Sequence, residues 1–253
     1  MHNSNSDNLS IFEPFTVTYS SASYTLQGYL LLPVGQKPFP AVIFQHGSAG
    51  LMPSNRSGIE ALLRMGYAVF VALRRGHNNN PGPNWLSLVP SPWGSPEMGR
   101  ELVGALDGET EDVLAGLDWL RAQPQIDPDR IAIAGSSFGG VVTVLAAGRT
   151  SQFRAGISFA GPSQTWPSAP ALQEIMLASV QKTSLPFFLI QAQNDHSLLP
   201  TYTLGMEFAR LGKPHETRIY PALGDTPMEG HGIFGGGVAW WSVDVERFLA
   251  RWL

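Results

Sequence analysis

The sequence predicts an α/β fold with a mainly parallel central sheet, on three observations. Short apolar runs alternate with amphipathic helical stretches along most of the chain. The runs after the first two are continuously apolar, which is the pattern of strands covered on both faces. The first two alternate instead, and read as an N-terminal antiparallel hairpin. Strands separated by helices require crossovers, and crossovers make parallel pairs with helices on both faces of the sheet.

Taken in order, Phe15 to Ser20 and Tyr24 to Leu32 form the hairpin, joined through Ser21-Ala22-Ser23. Pro33 to Pro40 is a turn-rich connection to Ala41-Val42-Ile43-Phe44, the first buried strand. The small-residue loop Gln45 to Gly50 follows it. A helix is predicted from about Ser57 to Met65, with Ile59, Leu62 and Leu63 on one face and Gly66 as its stop. Tyr67 to Leu73 is the next strand. Arg74 to Pro96, rich in Asn, Pro, Gly and Trp, is too long for a passive connection. Glu97 to Gln123 is helical, with a break expected at Gly108. Asp127-Pro128-Asp129-Arg130 reads as a turn into the strand Ile131 to Ala134. A small-residue helical run, Val141 to Ala147, lies just beyond it. Phe153 to Phe159 is a strand, Leu172 to Val180 a short helix, and Pro186 to Gln191 a buried strand. A helix from about Thr201 to Leu211 leads to the last strand, Glu216 to Tyr220. Pro221 to Gly237 reads as a second long loop, and Ala239 to Trp252 as the final helix. No shift of composition divides the chain, so one domain is expected over residues 1–253, with 1–12 as a flexible tail.

Composition narrows the function classes. Hydrophobic residues make up 43% of the 253, enough for a packed core and against global disorder. A net charge of −4 without a basic block argues against nucleic acid as a partner. The absence of cysteine removes disulfides, thiolate metal sites and a Cys nucleophile together. The polar start, Met1 to Ser10, lacks the basic and apolar regions of a signal peptide. No apolar run approaches the roughly 18 residues of a membrane span. The expectation is a cytoplasmic chain with a small-molecule substrate; the oligomeric state, homo-oligomers included, stays open.

Between the strand Ile131 to Ala134 and the helical run from Val141 lies Gly135-Ser136-Ser137-Phe138-Gly139-Gly140. G-x-S-x-G in that context is the sequence form of a sharp strand-to-helix turn that raises a serine above the sheet. Ser137 is its central residue and the candidate nucleophile. A serine hydroxyl needs a base, normally His, and the base needs a carboxylate to fix its tautomer. Of the six histidines, His2 lies in the tail and His215 starts a strand. His77 sits in the long loop, and His196 adjoins the favoured acid. His46 ends a strand before a Gly-rich loop, which suits a structural or oxyanion-loop role. His231, in Gly230-His231-Gly232 on the late loop, is the favoured base, its glycines expected to leave the ring room to swing. Asp195, after the strand ending at Gln191, is the favoured acid; Asp225, in Gly224-Asp225-Thr226-Pro227, is its rival. The oxyanion of a tetrahedral intermediate needs N–H donors. The backbone N–H of Phe138 is one candidate, and that of Ser48, with Ala49 as runner-up, is the other.

These pieces together resemble the α/β-hydrolase superfamily, and within it the dienelactone hydrolase-like group. The resemblance is carried by His46-Gly47-Ser48, Arg75-Gly76, Asp127-Pro128-Asp129-Arg130-Ile131, Gly135 to Gly140, Asp195 with Pro200, and Gly230-His231-Gly232 with Phe234. It covers the chain from about residue 25 to the C-terminus. It implies an α/β-hydrolase fold and a Ser137, Asp195 and His231 triad in the order expected of that fold. It also implies that Arg75 is structural or lines the site. Dienelactone hydrolases use a Cys nucleophile and this chain has none, so ordinary ester hydrolysis is expected, with neither metal nor organic cofactor. The stretch Gly224 to Glu229 is longer than the family's usual short turn.

Substrate contacts are sought in Asn78 to Trp93 and Gly161 to Ala178. Trp85, Trp93, Trp166, Met176 and Phe234 are the candidates for an apolar wall. No Arg or Lys cluster announces a polyanion, and no large cap domain is evident, so small or medium esters are expected. A peptidase or thioesterase would use the same groups, and a non-enzymatic binding protein on this fold is the alternative outside enzymes.

Overall fold

The computed structural model describes residues 14–253. The tail assigned to residues 1–12 lies outside the described residues. In chain order the elements are β1 (Phe15–Ser21), β2 (Tyr24–Leu31), β3 (Phe39–Gln45), α1 (Arg56–Arg64), β4 (Ala68–Ala72), α2 (Trp85–Leu88), α3 (Pro96–Arg121) and β5 (Ile126–Ser136). There follow α4 (Phe138–Ala147), β6 (Gly156–Phe159), α5 (Pro170–Lys182), β7 (Phe187–Ala192), α6 (Leu199–Arg210) and β8 (His215–Tyr220). The chain closes with α7 (Pro227–His231), α8 (Ile233–Gly236) and α9 (Val238–Trp252).

The eight strands form one sheet in the order β1-β2-β4-β3-β5-β6-β7-β8. β1 pairs antiparallel with β2 and β2 with β4, while every pair from β4 to β8 is parallel. This is the expected mainly parallel sheet with an antiparallel hairpin at its start. Successive residues of a strand face opposite sides, so each central strand feeds two cores. Ile43, Phe70, Ile133 and Leu189 face a core closed by α3, α4, α5 and α6. Phe44, Val71, Ala134 and Ile190 face one closed by α1, α8 and α9. No separate cap domain stands over the sheet among the described residues, and no helix among them is long and apolar enough to cross a membrane.

Three expectations change. α3 runs unbroken through Gly108 for 26 residues. A Cβ at Gly108 would stand 3.0 Å from Nη1 of Arg75, so this glycine serves a close approach rather than a break. Asp127–Arg130 belongs to β5, but the ladder to β3 steps from Phe39–Ile126 to Ala41–Ile131. The turn chemistry therefore survives as a bulge within a strand, with Asp129 N–H on Asp127 Oδ1 at 3.0 Å. The late loop is not irregular: it folds into α7 and α8, and His231 is the last residue of α7.

Candidate active site

Ser137 stands at the turn between β5 and α4 with φ 57° and ψ −120°, a conformation an L-residue holds only when its surroundings over-determine it. Its N–H donates to Phe159 O at 2.8 Å, and its carbonyl accepts from Gly140 N–H at 2.8 Å. The flanking glycines answer to space. A Cβ on Gly135 would overlap the Gly139 carbonyl, and one on Gly139 would overlap the Gln45 carbonyl at the end of β3. The sharp turn thus packs directly against the neighbouring strand.

The turn aims Ser137 Oγ at His231 Nε2, 2.8 Å away. His231 Nδ1 lies 2.9 Å from Asp195 Oδ1. A carboxylate at Nδ1 places the ring proton there, leaving Nε2 as the acceptor that faces the serine hydroxyl. Asp195 follows β7 and is buried. Burial raises its carboxyl, but hydrogen bonds from His231, Gln191 and Ser163 outweigh this and hold it below the usual carboxylate range. Asp225, the rival acid, is exposed, and its N–H serves the Glu229 carboxylate. His196 is exposed too; its N–H donates to Asp195 Oδ1 and its ring lies edge-on to that of His231, centroids 5.7 Å apart.

His231 is held rather than free to swing. A Cβ on Gly230 would strike Asn194, whose side chain ties Leu223 and Thr226 together through hydrogen bonds of 2.9–3.0 Å. Gly230 lets α7 lie on the segment that carries Asp195. A capping box of Thr226 and Glu229 starts the helix, which is what the extra residues Gly224 to Glu229 build.

Beneath the loop after β3 lies a buried polar network. Arg74, wholly buried, pairs with Glu109 of α3 at 2.6 Å and donates to the carbonyls of His46 and Gly47 at 2.9 and 3.3 Å. His46 is also fully buried. Burial first, then Arg74 and His77, hold its imidazole well below the ordinary range. It accepts from Arg74 N–H through Nε2 and faces Gly47 O through Nδ1. His77 Nε2 and Trp85 Nε1 both reach Ser48 O, at 3.1 and 3.0 Å. The loop's carbonyls are thus turned down into protein. A trans peptide points its N–H opposite the preceding C=O, so the Ser48 N–H points away from the network. Neither it nor the Phe138 N–H has an acceptor among the described residues. Arg75 grips Asp112 of α3 with two bonds of 2.6 and 2.9 Å and is a strut of the fold.

A small cavity of about 50 Å³ adjoins Ser137, lined among others by Ser48, Trp85, Trp93 and Phe138. Of the five candidate wall residues, Trp85 and Trp93 line it. Met176 and Trp166 are instead buried in the core between the sheet and α3 to α5. Phe234 lies in the opposite core, stacked on Phe44 with centroids 4.3 Å apart. Burying such a side chain stabilises by roughly 1.5–3 kcal/mol, and that burial is the role of these three. A larger cavity of about 410 Å³, against Tyr29, Leu31, Met52 and Ile59, contains none of the groups just described. Chemistry, not volume, marks the site. Two contributors escaped sequence reasoning. Ser163 donates to Asp195 Oδ1 at 2.7 Å and lies 3.0 Å from His231 Nδ1, and Gln191 donates to Asp195 Oδ2 at 2.8 Å. Neither sits in a recognisable motif; Gln191, a polar residue inside an apolar strand, was the one signal available.

The prolyl oligopeptidase family matches over residues 54–167. An uncharacterized peptidase of Bacillus subtilis (strain 168), YuxL, is 26% identical over 144 residues, which span 53% of this chain and 19% of that protein. Among solved structures, Pyrococcus horikoshii acylaminoacyl peptidase superposes with a TM-score of 0.72 at 21% identity, over 97% of this chain and 42% of that one. The Pyrococcus furiosus esterase Pf2001 gives 0.70 at 19%, over 95% of this chain and 91% of that one. Peptidase and esterase alike superpose on this sheet and its helices, and the chain accordingly has the α/β-hydrolase fold.

Proposed function

We propose that this chain is a serine hydrolase that cleaves carboxylic esters through Ser137, His231 and Asp195. The observation that carries the reading is the unbroken relay from Ser137 Oγ to His231 Nε2 at 2.8 Å and from His231 Nδ1 to Asp195 Oδ1 at 2.9 Å. In this reading His231 takes the hydroxyl proton as Ser137 Oγ attacks the ester carbonyl. Asp195 stabilises the imidazolium without taking its proton. The oxyanion develops between the N–H groups of Phe138 and Ser48, at the start of α4, where the helix N-terminus also favours negative charge. His231 returns the proton to the leaving alcohol, and the acyl-enzyme forms. Water then enters, gives its proton to His231, attacks the acyl carbonyl and releases the acid as Ser137 recovers its hydrogen.

A peptidase would use the same atoms, and the family match over residues 54–167 favours that second reading. The ester reading is preferred on chemistry: an ester expels an alcohol more readily than an amide expels an amine, so the same groups cleave an ester before a peptide. The experiment is turnover of p-nitrophenyl esters beside peptide anilides and acyl-CoA, with wild type and Ser137→Ala. Ester turnover that disappears in the variant supports the proposal. Faster cleavage of anilides than of esters would replace it by the peptidase reading.

A further inference from the structure

The cavity beside Ser137 carries an inference about substrate, which rests on the reading of Ser137 as nucleophile. An ester bound there must send its carbonyl oxygen toward Phe138 and Ser48 and its leaving oxygen toward His231 Nε2. The acyl chain takes the remaining direction. The cavity is lined by Ser48, Phe138 and Trp85, while His231 is not part of its wall. Trp93 and the segment Pro162 to Thr165 complete the wall, and an acyl group entering it would lie beside the two candidate donors. At about 50 Å³ the cavity is short. A water-sized group needs at least ~10–15 Å³ of such space, so the slot takes roughly four heavy atoms.

Of the two tryptophans in its wall, Trp93 is exposed and Trp85 is half-buried and held in place. Its ring packs on Phe138, centroids 5.1 Å apart, and its indole N–H donates to Ser48 O at 3.0 Å. Asn84 fixes the start of α2 by accepting Leu86 N–H at 3.1 Å and donating to Gly76 O at 3.0 Å. Trp85 is thus anchored at both ends, to the residue after the nucleophile and to the loop whose N–H faces it. We propose that Trp85 is the specificity-determining residue of the acyl site. It limits the acyl group to about four carbons, from acetyl to butyryl, and couples filling of the pocket to the position of Ser48.

The test is a chain-length series of p-nitrophenyl esters, acetate to dodecanoate, on the intact chain and two variants. Wild-type kcat/KM should peak between acetate and butyrate and fall by roughly tenfold or more by octanoate. Trp85→Ala removes that part of the wall, and the optimum should move to hexanoate or longer. Trp85→Phe keeps a ring on Phe138 but loses the bond to Ser48 O. It should keep the short-chain ranking while kcat falls roughly fivefold on every ester. A wild-type optimum at octanoate or beyond overturns the proposal whatever the variants do. So does a Trp85→Ala profile with the wild-type ranking. Labelling of Ser137 by a fluorophosphonate separates the two levels. A labelled, active enzyme with a long-chain optimum loses only the role of Trp85; a chain neither labelled nor active loses the hydrolase reading with it.

Discussion

Asp195 Oδ1 receives three donors within 2.9 Å: the Ser163 hydroxyl, the His231 ring and the His196 backbone N–H. A hydrogen bond to a charged group contributes about 1.5–3 kcal/mol, so the Ser163 contact is large enough to matter to the placement of the imidazole. Ser163→Ala should lower kcat roughly tenfold with KM changed less than about twofold. Ser163→Thr keeps the hydroxyl and should restore most of the lost kcat. A purely structural role would lower the melting temperature and leave kcat near the wild-type value. The depressed carboxyl of Asp195 also has a sign for stability. The unfolded state binds the proton more readily than the folded one, so stability rises with pH in that region. The contribution is complete above the unfolded value of ~3.9 and is lost as pH falls through the lower folded value. Melting temperatures of wild type and Asp195→Asn should therefore converge as pH is lowered below about 4; a gap that stays constant would contradict the assignment.

At the scale of elements, α7 shows how the site is placed and where sequence reading meets its limit. Glycines around His231 suggest freedom, yet Gly230 exists because Asn194 occupies the space of its Cβ. Close approach and flexibility leave the same letter in a sequence, and only packing separates them. Gly230→Ala should push α7 off Asn194 and break the 2.8 Å contact of His231 with Ser137, lowering kcat about a hundredfold. Far-ultraviolet circular dichroism should be unchanged, which distinguishes a displaced helix from an unfolded chain. The same ambiguity explains Met176 and Phe234. An apolar residue near the site in sequence reads alike whether it faces ligand or core, and these two are wholly within the core. Strands were legible because burial on both faces leaves continuous apolar runs such as Ala41 to Phe44. Ser163 was not, because its partners lie 32 and 68 positions away in a loop without a motif.

Across the whole molecule, the sheet order is what brings distant residues together. β5 and β7 flank β6, so Ser137 after β5 and Asp195 after β7 emerge at the same carboxyl edge, with Ser163 of the β6–β7 connection between them. Ligands bind at that edge in open α/β sheets. On the other side of Ser137, β3 supplies the loop that Arg74 and Glu109 hold from below, joining β4, α3 and the site in one buried network. The described chain thus brings Ser137, His231, Asp195 and the loop of Ser48, for which we propose the roles of nucleophile, base, acid and oxyanion donor, to connections at one edge of the sheet. The direct measurement of this account is intact mass and peptide mapping after reaction with a fluorophosphonate probe. A single adduct on the peptide bearing Ser137, formed together with loss of ester turnover and absent in Ser137→Ala, is the predicted result. An adduct on another residue, or undiminished turnover in Ser137→Ala, would contradict it.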